Sequence, residues 1–377
     1  MRMERNQPIL TYMNSLDTIN RMMRVACALL LATSCANEEI PSPTDGPAIT
    51  FLSDGVTSRA DETPFPEAGY ELFPDGAVMG IFAYTLSDGV FDENNSTPDL
   101  LYNASLTKLT TGGYLYNPMA HWPVGGKVRF AAYHPHSGSL APGAITLTPS
   151  TVSGLPEITL DLNKVTDKVD FSVAVLEPIA PLISNDPPGT PARNDYQVNF
   201  RFKRKISELF FRAKVVDMPP LINLYINMIS VKNIYTKGIY NMKKEQWSYP
   251  EDIDGLTGAT IALGASGTRV DKNDFIDIIS PGNEGLTNRA NSVVMLPQTY
   301  DHMELDIIYT LEYMKSEGGC EYRIVGKKKM PLSIAWEPGK MYSYDLEFNF
   351  NGIVGEQIPF RVSVKDWEKK EIDTTID

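Results

Sequence analysis

The sequence predicts an all-β protein made of two antiparallel β-sandwich domains in tandem, and three observations lead there. Short apolar or alternating runs recur along the chain with Gly, Pro, Asn and Asp between them. No amphipathic stretch is long enough to argue for a sizeable helix. The length, 377 residues at roughly 150 per domain, gives two domains and their ends. With 42% hydrophobic, 10% aromatic and 21% charged residues, the chain has the apolar content to fold and no collagen-like repeat.

The first half reads as a series of strands. Ala48-Ile49-Thr50-Phe51-Leu52 is the first, Val78 to Tyr84 the second and Val128 to Tyr133 another. Ile145 to Thr148 and Ile158 to Leu162 alternate with period two, the pattern of a sheet with one dry and one wet face. Val169 to Val175 closes the series. Pro178, Pro181, Pro187, Pro188, Gly189 and Pro191 then punctuate a stretch that cannot run inside a central strand. The expected organisation is therefore residues 35–176 as the N-terminal sandwich, 177–194 as a Pro-rich linker and 195–377 as the C-terminal sandwich. In the second half Tyr196 to Phe202 alternates cleanly and Ile206 to Val215 follows a basic cluster. Ile222 to Val231, Ser292 to Leu296, Met303 to Tyr313, Tyr322 to Val325, Met341 to Phe350 and Phe360 to Val364 complete it. About seven strands per half suits a sandwich.

Residues 1–34 read as a signal segment. Arg2, Arg5, Arg21 and Arg24 precede the apolar run Val25 to Ala32, which is too short to span a bilayer, a task needing about 20 residues. Met22 and Met23, directly before Arg24, are further start candidates. The run ends at Leu31-Ala32-Thr33-Ser34-Cys35, which resembles the lipobox of bacterial lipoproteins. That resemblance implies cleavage before Cys35 and acylation of its thiol, a hold on the outer membrane that several acyl chains make stable. The acidic Ala36-Asn37-Glu38-Glu39 behind it resembles the surface-export signal of Bacteroidetes lipoproteins. Loss of residues 1–34 removes four Arg, one Glu and one Asp, a net of +2, and takes the formal charge from −13 to −15. Such a balance excludes an extended nucleic-acid surface, because each phosphate contact wants a Lys or Arg.

Four motifs fall in order along the rest. His121-Trp122-Pro123-Val124-Gly125-Gly126-Lys127 leads into Val128 to Pro135; Val294-Met295-Leu296-Pro297-Gln298 ends a strand; Trp336-Glu337-Pro338-Gly339-Lys340-Met341-Tyr342-Ser343-Tyr344 opens one; and Val364-Lys365-Asp366-Trp367 closes the set. Together they resemble the Bacteroidetes fimbrillin-like (Mfa-like) proteins. The resemblance implies two transthyretin-like sandwiches and a role as a surface fimbrial subunit, with other fimbrial subunits and a host or bacterial receptor as partners. It further implies that a protease cutting after a basic residue removes the first strand and opens a groove for a strand of another subunit. Arg59 is the one basic residue between Cys35 and Lys108, and it follows the first strand. The C-terminal run, with Phe360, Val362 and Val364 on one side, suits a donor strand but suits better the last strand of its own domain, and Glu368 to Asp377 is too polar for a plug. Tip and uncleaved anchor roles stay open on that ground.

No chemistry is legible. The four histidines, His121, His134, His136 and His302, bring no carboxylate motif with them, and His134-Pro135-His136 reads as a loop pair rather than as metal ligands. Gly125-Gly126-Lys127 lacks the spacing of a phosphate loop, and neither His-Glu-x-x-His nor Gly-x-Ser-x-Gly occurs. Cys27 leaves with the signal, and Cys320 is read as a free thiol at a hairpin. Lys327-Lys328-Lys329 is read as a solvated turn. The expectation is no catalytic residue, no cofactor and no metal; a glycan-binding lipoprotein, with Trp247 and Tyr249 as an exposed platform, is the alternative from another class.

Overall fold

The computed structural model describes residues 45–53, 73–111, 113–165, 169–181, 197–249, 256–262, 267–270, 272, 274–278, 292–350, 353 and 360–366. All but Asp45 belong to the compact unit Gly46–Asp377. The strands of the first half are β1 (Asp45–Ala48), β2 (Thr50–Ser53), β3 (Val78–Leu86), β4 (Leu101–Lys108), β5 (Tyr114–Tyr116), β6 (His121–Pro123), β7 (Lys127–His134), β8 (Ile145–Leu147), β9 (Glu157–Asp161) and β10 (Ser172–Val175). Then come β11 (Gln197–Phe200), β12 (Lys203–Arg204), β13 (Ser207–Asp217), β14 (Ile222–Tyr235), β15 (Lys237–Asn241), β16 (Gln246–Ser248), β17 (Leu256–Ala262) and β18 (Thr268–Val270). The last are β19 (Ile276–Asp277), β20 (Val293–Met295), β21 (Thr299–Met314), β22 (Cys320–Ala335), β23 (Lys340–Asn349) and β24 (Phe360–Asp366).

The first core is built around a sheet that is dry on both sides. Its order is β12-β10-β7-β3-β4-β5, and β3 from Ile81 to Tyr84 and β7 from Phe130 to Tyr133 carry apolar residues on both faces, as strands covered on both sides must. Met79, Ile81, Ala83, Val128, Phe130 and Ala132 point to one side, where they pack with Ile49, Phe51, Val198, Phe200 and Phe202. Phe82, Tyr84, Leu86, Ala131 and Tyr133 point to the other and pack with Ile158 and Leu160 of β9 and Tyr240 of β15. That second cover is a sheet of order β16-β15-β9-β8. Gly80 is required in the middle of β3, because a Cβ there would lie 2.1 Å from the Tyr133 ring. The ring's hydroxyl donates to Asn103 Oδ1 at 2.7 Å and accepts the Ser137 amide at 3.0 Å.

The second core lies between a sheet of order β19-β13-β23-β24, joined by β20 on β13, and one of order β17-β14-β21-β22, joined by β18 on β14. Alternation does the sorting. In β23 Tyr342, Tyr344, Leu346 and Phe348 are buried while their neighbours are not. In β14 the inward set is Ile222, Leu224 and Ile226, then Ile229 and Val231, then Ile234; the parity changes at register shifts between Ile226 and Met228 and between Lys232 and Ile234. Each extra residue turns the following side chains over, and a bulge absorbs it.

Two of the sequence motifs prove to be joints. Gln298, 5% exposed, accepts the Tyr235 amide at 2.9 Å and donates to the carbonyls of Tyr235 and Leu296 at 3.0 and 3.1 Å, so one amide side chain ties the end of β14 to the entry of β21. Trp336 Nε1 donates to the Tyr344 hydroxyl at 2.9 Å, and the Tyr342 hydroxyl donates to the Ala335 carbonyl and accepts the Glu337 amide. Gly339, at φ 71°, makes the turn between them and donates its amide to the Ile206 carbonyl.

The structure departs from the sequence reading in definite places. The first strand breaks at Ile49 into β1 and β2. β4, β5 and β6 were not expected; the Asn and Ser of Leu101 to Lys108 mask the strand, and Asn103 sits at φ 48°. Two ladders are parallel, β2 with β11 and β13 with β23. In the latter Arg212 faces Asp345 and Lys214 faces Glu347, and both pairs close as ion pairs. The Pro-rich segment at 177–194 does not divide the sheets: β11 and β12 pair with β2 and β10, and β15 with β9. Strands of the second half thus complete the first core. β22 runs from Cys320 to Ala335, far beyond Val325, and Lys327-Lys328-Lys329 is strand rather than turn. Its charge is met across the ladder. Asp306 on β21, 1% exposed, takes Lys232 at 2.5 Å and Lys327 at 2.7 Å, and Glu304 takes Lys329 at 2.7 Å. Opposite charges on adjacent strands compensate each other where a turn would leave them to water. Burial alone would raise the Asp306 pKa, but the two lysines outweigh it and hold it below the ordinary value.

Two measurements test these joints. Replacing Gln298 with Ala removes the three hydrogen bonds that its buried side chain makes to Tyr235 and Leu296 and should cost about 1–3 kcal/mol, read from denaturant unfolding. Glu312 is held down to about 2 by hydrogen bonds from Arg323 first, then Tyr225 and Asn223, against the opposing pull of burial. A depressed carboxyl stabilises the fold above its unfolded pKa and ceases to as pH falls through the folded one. Melting temperature should therefore drop between pH 4.5 and about 2 in the wild type, and less so in Glu312→Gln.

Candidate assembly site: the first strand and its seat

The segment before Arg59 is held by a small set of replaceable contacts. β1 lies along β6, and β2 runs parallel to β11 with Phe51 opposite Val198. Between them Ile49 donates its amide to the Ala120 carbonyl at 2.9 Å and receives the Tyr116 hydroxyl on its carbonyl at 2.7 Å. Ile49 and Phe51, at 1% and 2% exposed, point the same way because they are two residues apart on an extended chain. The Phe51 ring stacks on Phe200 at 5.6 Å and meets Tyr116 and Phe130 edge-on at 5.1 and 5.8 Å. Trp122, also buried, closes the end of this seat against Phe130, and Gly46 lets the chain pass it: a Cβ would stand 2.5 Å from the Trp122 carbonyl oxygen.

Chemically, the seat is an aromatic slot flanked by strands with spare hydrogen-bonding capacity. Without residues 45–53, β11 and β6 lose their partners among the described strands, and the rings of Phe130, Phe200 and Tyr116 face an empty space. An extended segment with apolar residues at alternate positions satisfies both needs.

Of the residues expected to carry function, Cys35 and Arg59 lie outside the described residues. β24 pairs with β23 from Phe360 to Asp366, within its own chain. Cys320 is a free, exposed thiol where the β21–β22 hairpin returns. His134 is half-buried beside Phe73, with Nδ1 3.1 Å from the Asp170 carbonyl, and desolvation lowers its pKa. His136 accepts the Gly138 amide on Nδ1, and its Nε2 lies 3.2 Å from the Asn103 carbonyl. Both imidazoles fasten loops. Trp247 and Tyr249 form no platform: Trp247 packs on Phe171 and Tyr240 and donates to the Lys205 carbonyl, and Tyr249 stacks on Tyr235 and donates to the Pro297 carbonyl. Their polar ends are used inside the protein, which removes the argument for a glycan surface there. Sequence reasoning missed the seat. The signal was present in the alternation of Gln197 to Phe202, whose apolar residues match those of the first strand, but pairing across nearly 150 positions is not a local pattern.

The family model for fimbrillin-like proteins matches residues 59–367. The chain belongs to the fimbrillin-like family. Fimbrillin-like proteins are structural components of fimbriae and not enzymes, which agrees with the absence of any catalytic motif in the sequence. A fimbrial protein from Bacteroides vulgatus, 18% identical, superposes over 85% of this chain and 100% of its own with a TM-score of 0.60, so the fold is shared. The fimbrial anchor protein Mfa2 from Porphyromonas gingivalis is a more distant neighbour, 11% identical over 85% of this chain and 97% of its own, with a TM-score of 0.36. No curated protein matches the chain.

The seat makes a direct prediction. Phe51→Ala leaves a ring-sized cavity in a close-packed site and should destabilise the uncut protein by about 3–5 kcal/mol, measured by chemical denaturation.

Proposed function

We propose that this fimbrillin-like protein is a cell-surface fimbrial subunit, exported as a lipoprotein with acyl chains on Cys35, that becomes competent for assembly when its first strand is removed by cleavage after Arg59. The observation that carries the reading is the burial of Ile49 and Phe51 in a seat made entirely by later parts of the chain. Cleavage after Arg59 detaches the lipid and the first strand in one step, so release from the outer membrane and opening of the slot are coupled. A strand from another fimbrial subunit then restores the ladders with β6 and β11 and refills the space among the rings. The family match, over residues 59–367, leaves the first strand outside it. The resulting fibre serves adhesion and biofilm attachment through a host or bacterial surface receptor, and the formal charge of −13 speaks against nucleic acid as a partner.

One observation favours a terminal place in the fibre. β24 is paired with β23 along its whole length, so the strand best suited for donation is already engaged. A subunit that accepts a strand and keeps β24 engaged sits at an end as a tip; one that escapes cleavage keeps its lipid and its filled slot and serves as an anchor.

Treatment of the purified chain with an Arg-specific protease tests this. The expected product begins at Ala60, loses residues 45–53 and forms a ladder on a non-denaturing gel with partner subunits, or takes up a synthetic peptide of residues 45–53; Arg59→Ala does neither. A cut chain that retains its first strand through gel filtration, or loses it and binds no strand, overturns the proposal. Mass spectrometry of the membrane form tests Cys35 separately.

A further inference from the structure

Among the described residues the longest open edge belongs to β22. This 16-residue strand pairs with β21 on one side and, among the described residues, with nothing on the other. Its hairpin half is exposed on both faces: Tyr322 48%, Ile324 47% and Val325 70%. Tyr322 and Ile324 lie on the core side of the sheet, opposite Tyr313 and Leu311, yet are not covered as Leu311 and Met330 are. Gly326, next on that side, carries the ring of Tyr309 against its own backbone. A long edge bearing apolar residues is a template for another strand.

We infer that β22 pairs edge to edge, antiparallel, with β22 of a second copy of this chain, about a two-fold axis at Ile324. Three features fix the partner and the register. Pro331 has no amide hydrogen and fits the strand with its nitrogen on the open side, which turns the backbone groups of Arg323, Val325, Lys327 and Lys329 outward. A symmetric ladder must then match odd residues with odd, and it must end before Pro331. Charge chooses among the centres that remain. About Val325, Arg323 would face Lys327; about Arg323, it would face its own copy; and like charges directly opposite repel. About Ile324, Glu321 of each copy faces Lys327 of the other, Arg323 faces Val325, and on the core side Ile324 meets Ile324 and Tyr322 lies over Gly326. A centre at Tyr322 also sets opposite charges together, Glu321 against Arg323, but its ladder runs only from Cys320 to Ile324, against Cys320 to Lys328 for Ile324.

Such a contact is isologous and closes on itself, so it cannot lengthen a fibre; it joins two subunits side by side. It is independent of cleavage at Arg59. One ladder of this length buries less than the roughly 1,200 Å² of a stable interface, so the dimer is weak and concentration-dependent.

The test uses the uncut Arg59→Ala chain so that strand exchange does not intervene. Sedimentation should show a monomer–dimer equilibrium that shifts to dimer with concentration, and Glu321→Lys, which sets Lys against Lys327, should raise the dissociation constant several-fold without changing the melting temperature. In a Cys320→Ser background, Ile324→Cys should close to a covalent dimer under mild oxidation. The paired Cα atoms of a non-hydrogen-bonded site stand about 4.5 Å apart, within disulfide reach. Tyr322→Cys, two residues off the axis and so opposite Gly326 of the other copy rather than its own counterpart, should stay monomeric. A monomer at every concentration, a Glu321→Lys variant that dimerises unchanged, or faster cross-linking at 322 than at 324 overturns the inference.

Discussion

The arrangement depends on one constraint: β3 and β7 are apolar on both faces, so the sheet they build must be covered twice. Met79, Ile81 and Phe130 require a layer on one side, and Phe82, Tyr84 and Tyr133 require one on the other. Burying such side chains stabilises a fold by about 1.5–3 kcal/mol apiece, and leaving one face of the sheet wet would forfeit several of these at once. The chain meets the demand with pieces from far apart in sequence. The β8–β9 hairpin is extended by β15 and β16 on one face, and β2, β11 and the β1–β6 pair cover the other.

The two covers are not equivalent. The β16-β15-β9-β8 layer is one continuous four-stranded ladder, in which β15 and β9 are each paired on both edges. The layer that contains the first strand is assembled from two separate pairs, β1 with β6 and β2 with β11. Its cohesion comes from the aromatic slot around Phe51 rather than from a sheet of its own. A segment held chiefly by an apolar knob and two short ladders can be replaced by any extended chain that presents the same knob. This is the physical basis of the proposal that the first strand is the part exchanged.

Much of this fold was legible from the sequence. β13, β14, β21 and β23 were readable because alternation reports a sheet with one dry face, and β3 and β7 because an unbroken apolar run bounded by Gly or Pro reports a strand with two. The alternation of Phe360 to Val364 suits a donor strand and a strand of its own sheet alike, and the structure pairs it with β23. What failed was anything requiring a partner. Leu101 to Lys108 carries Asn103 and Ser105 because its neighbours, not its own pattern, hold it in the sheet. Lys327-Lys328-Lys329 looked like a turn because three cations in a row repel, and only Glu304 and Asp306 on the adjacent strand show why a strand tolerates them. The Pro-rich segment looked like a domain boundary, yet the strands after it return to the first core. The seat of Phe51 was hidden likewise: its walls, Tyr116, Phe130 and Phe200, come from three strands that no local window joins.

Open edges now acquire different meanings according to what lines them. β22 is long, but its basic stretch and Pro331 are the devices that keep an edge from unlimited pairing, and they leave free only the hairpin half around Ile324. Pairing confined to so short a reach, and closed by two-fold symmetry, stays weak and stops at two copies. The slot beneath the first strand is the opposite case. It is apolar and filled by Ile49 and Phe51, so under the proposed cleavage it stays shielded until a covalent bond is cut, and the exchange it would then permit is tight and directional. A surface subunit needs both limits: a strong contact that forms only after processing, and any contact present before processing too weak to hold the chains together on the way to the surface.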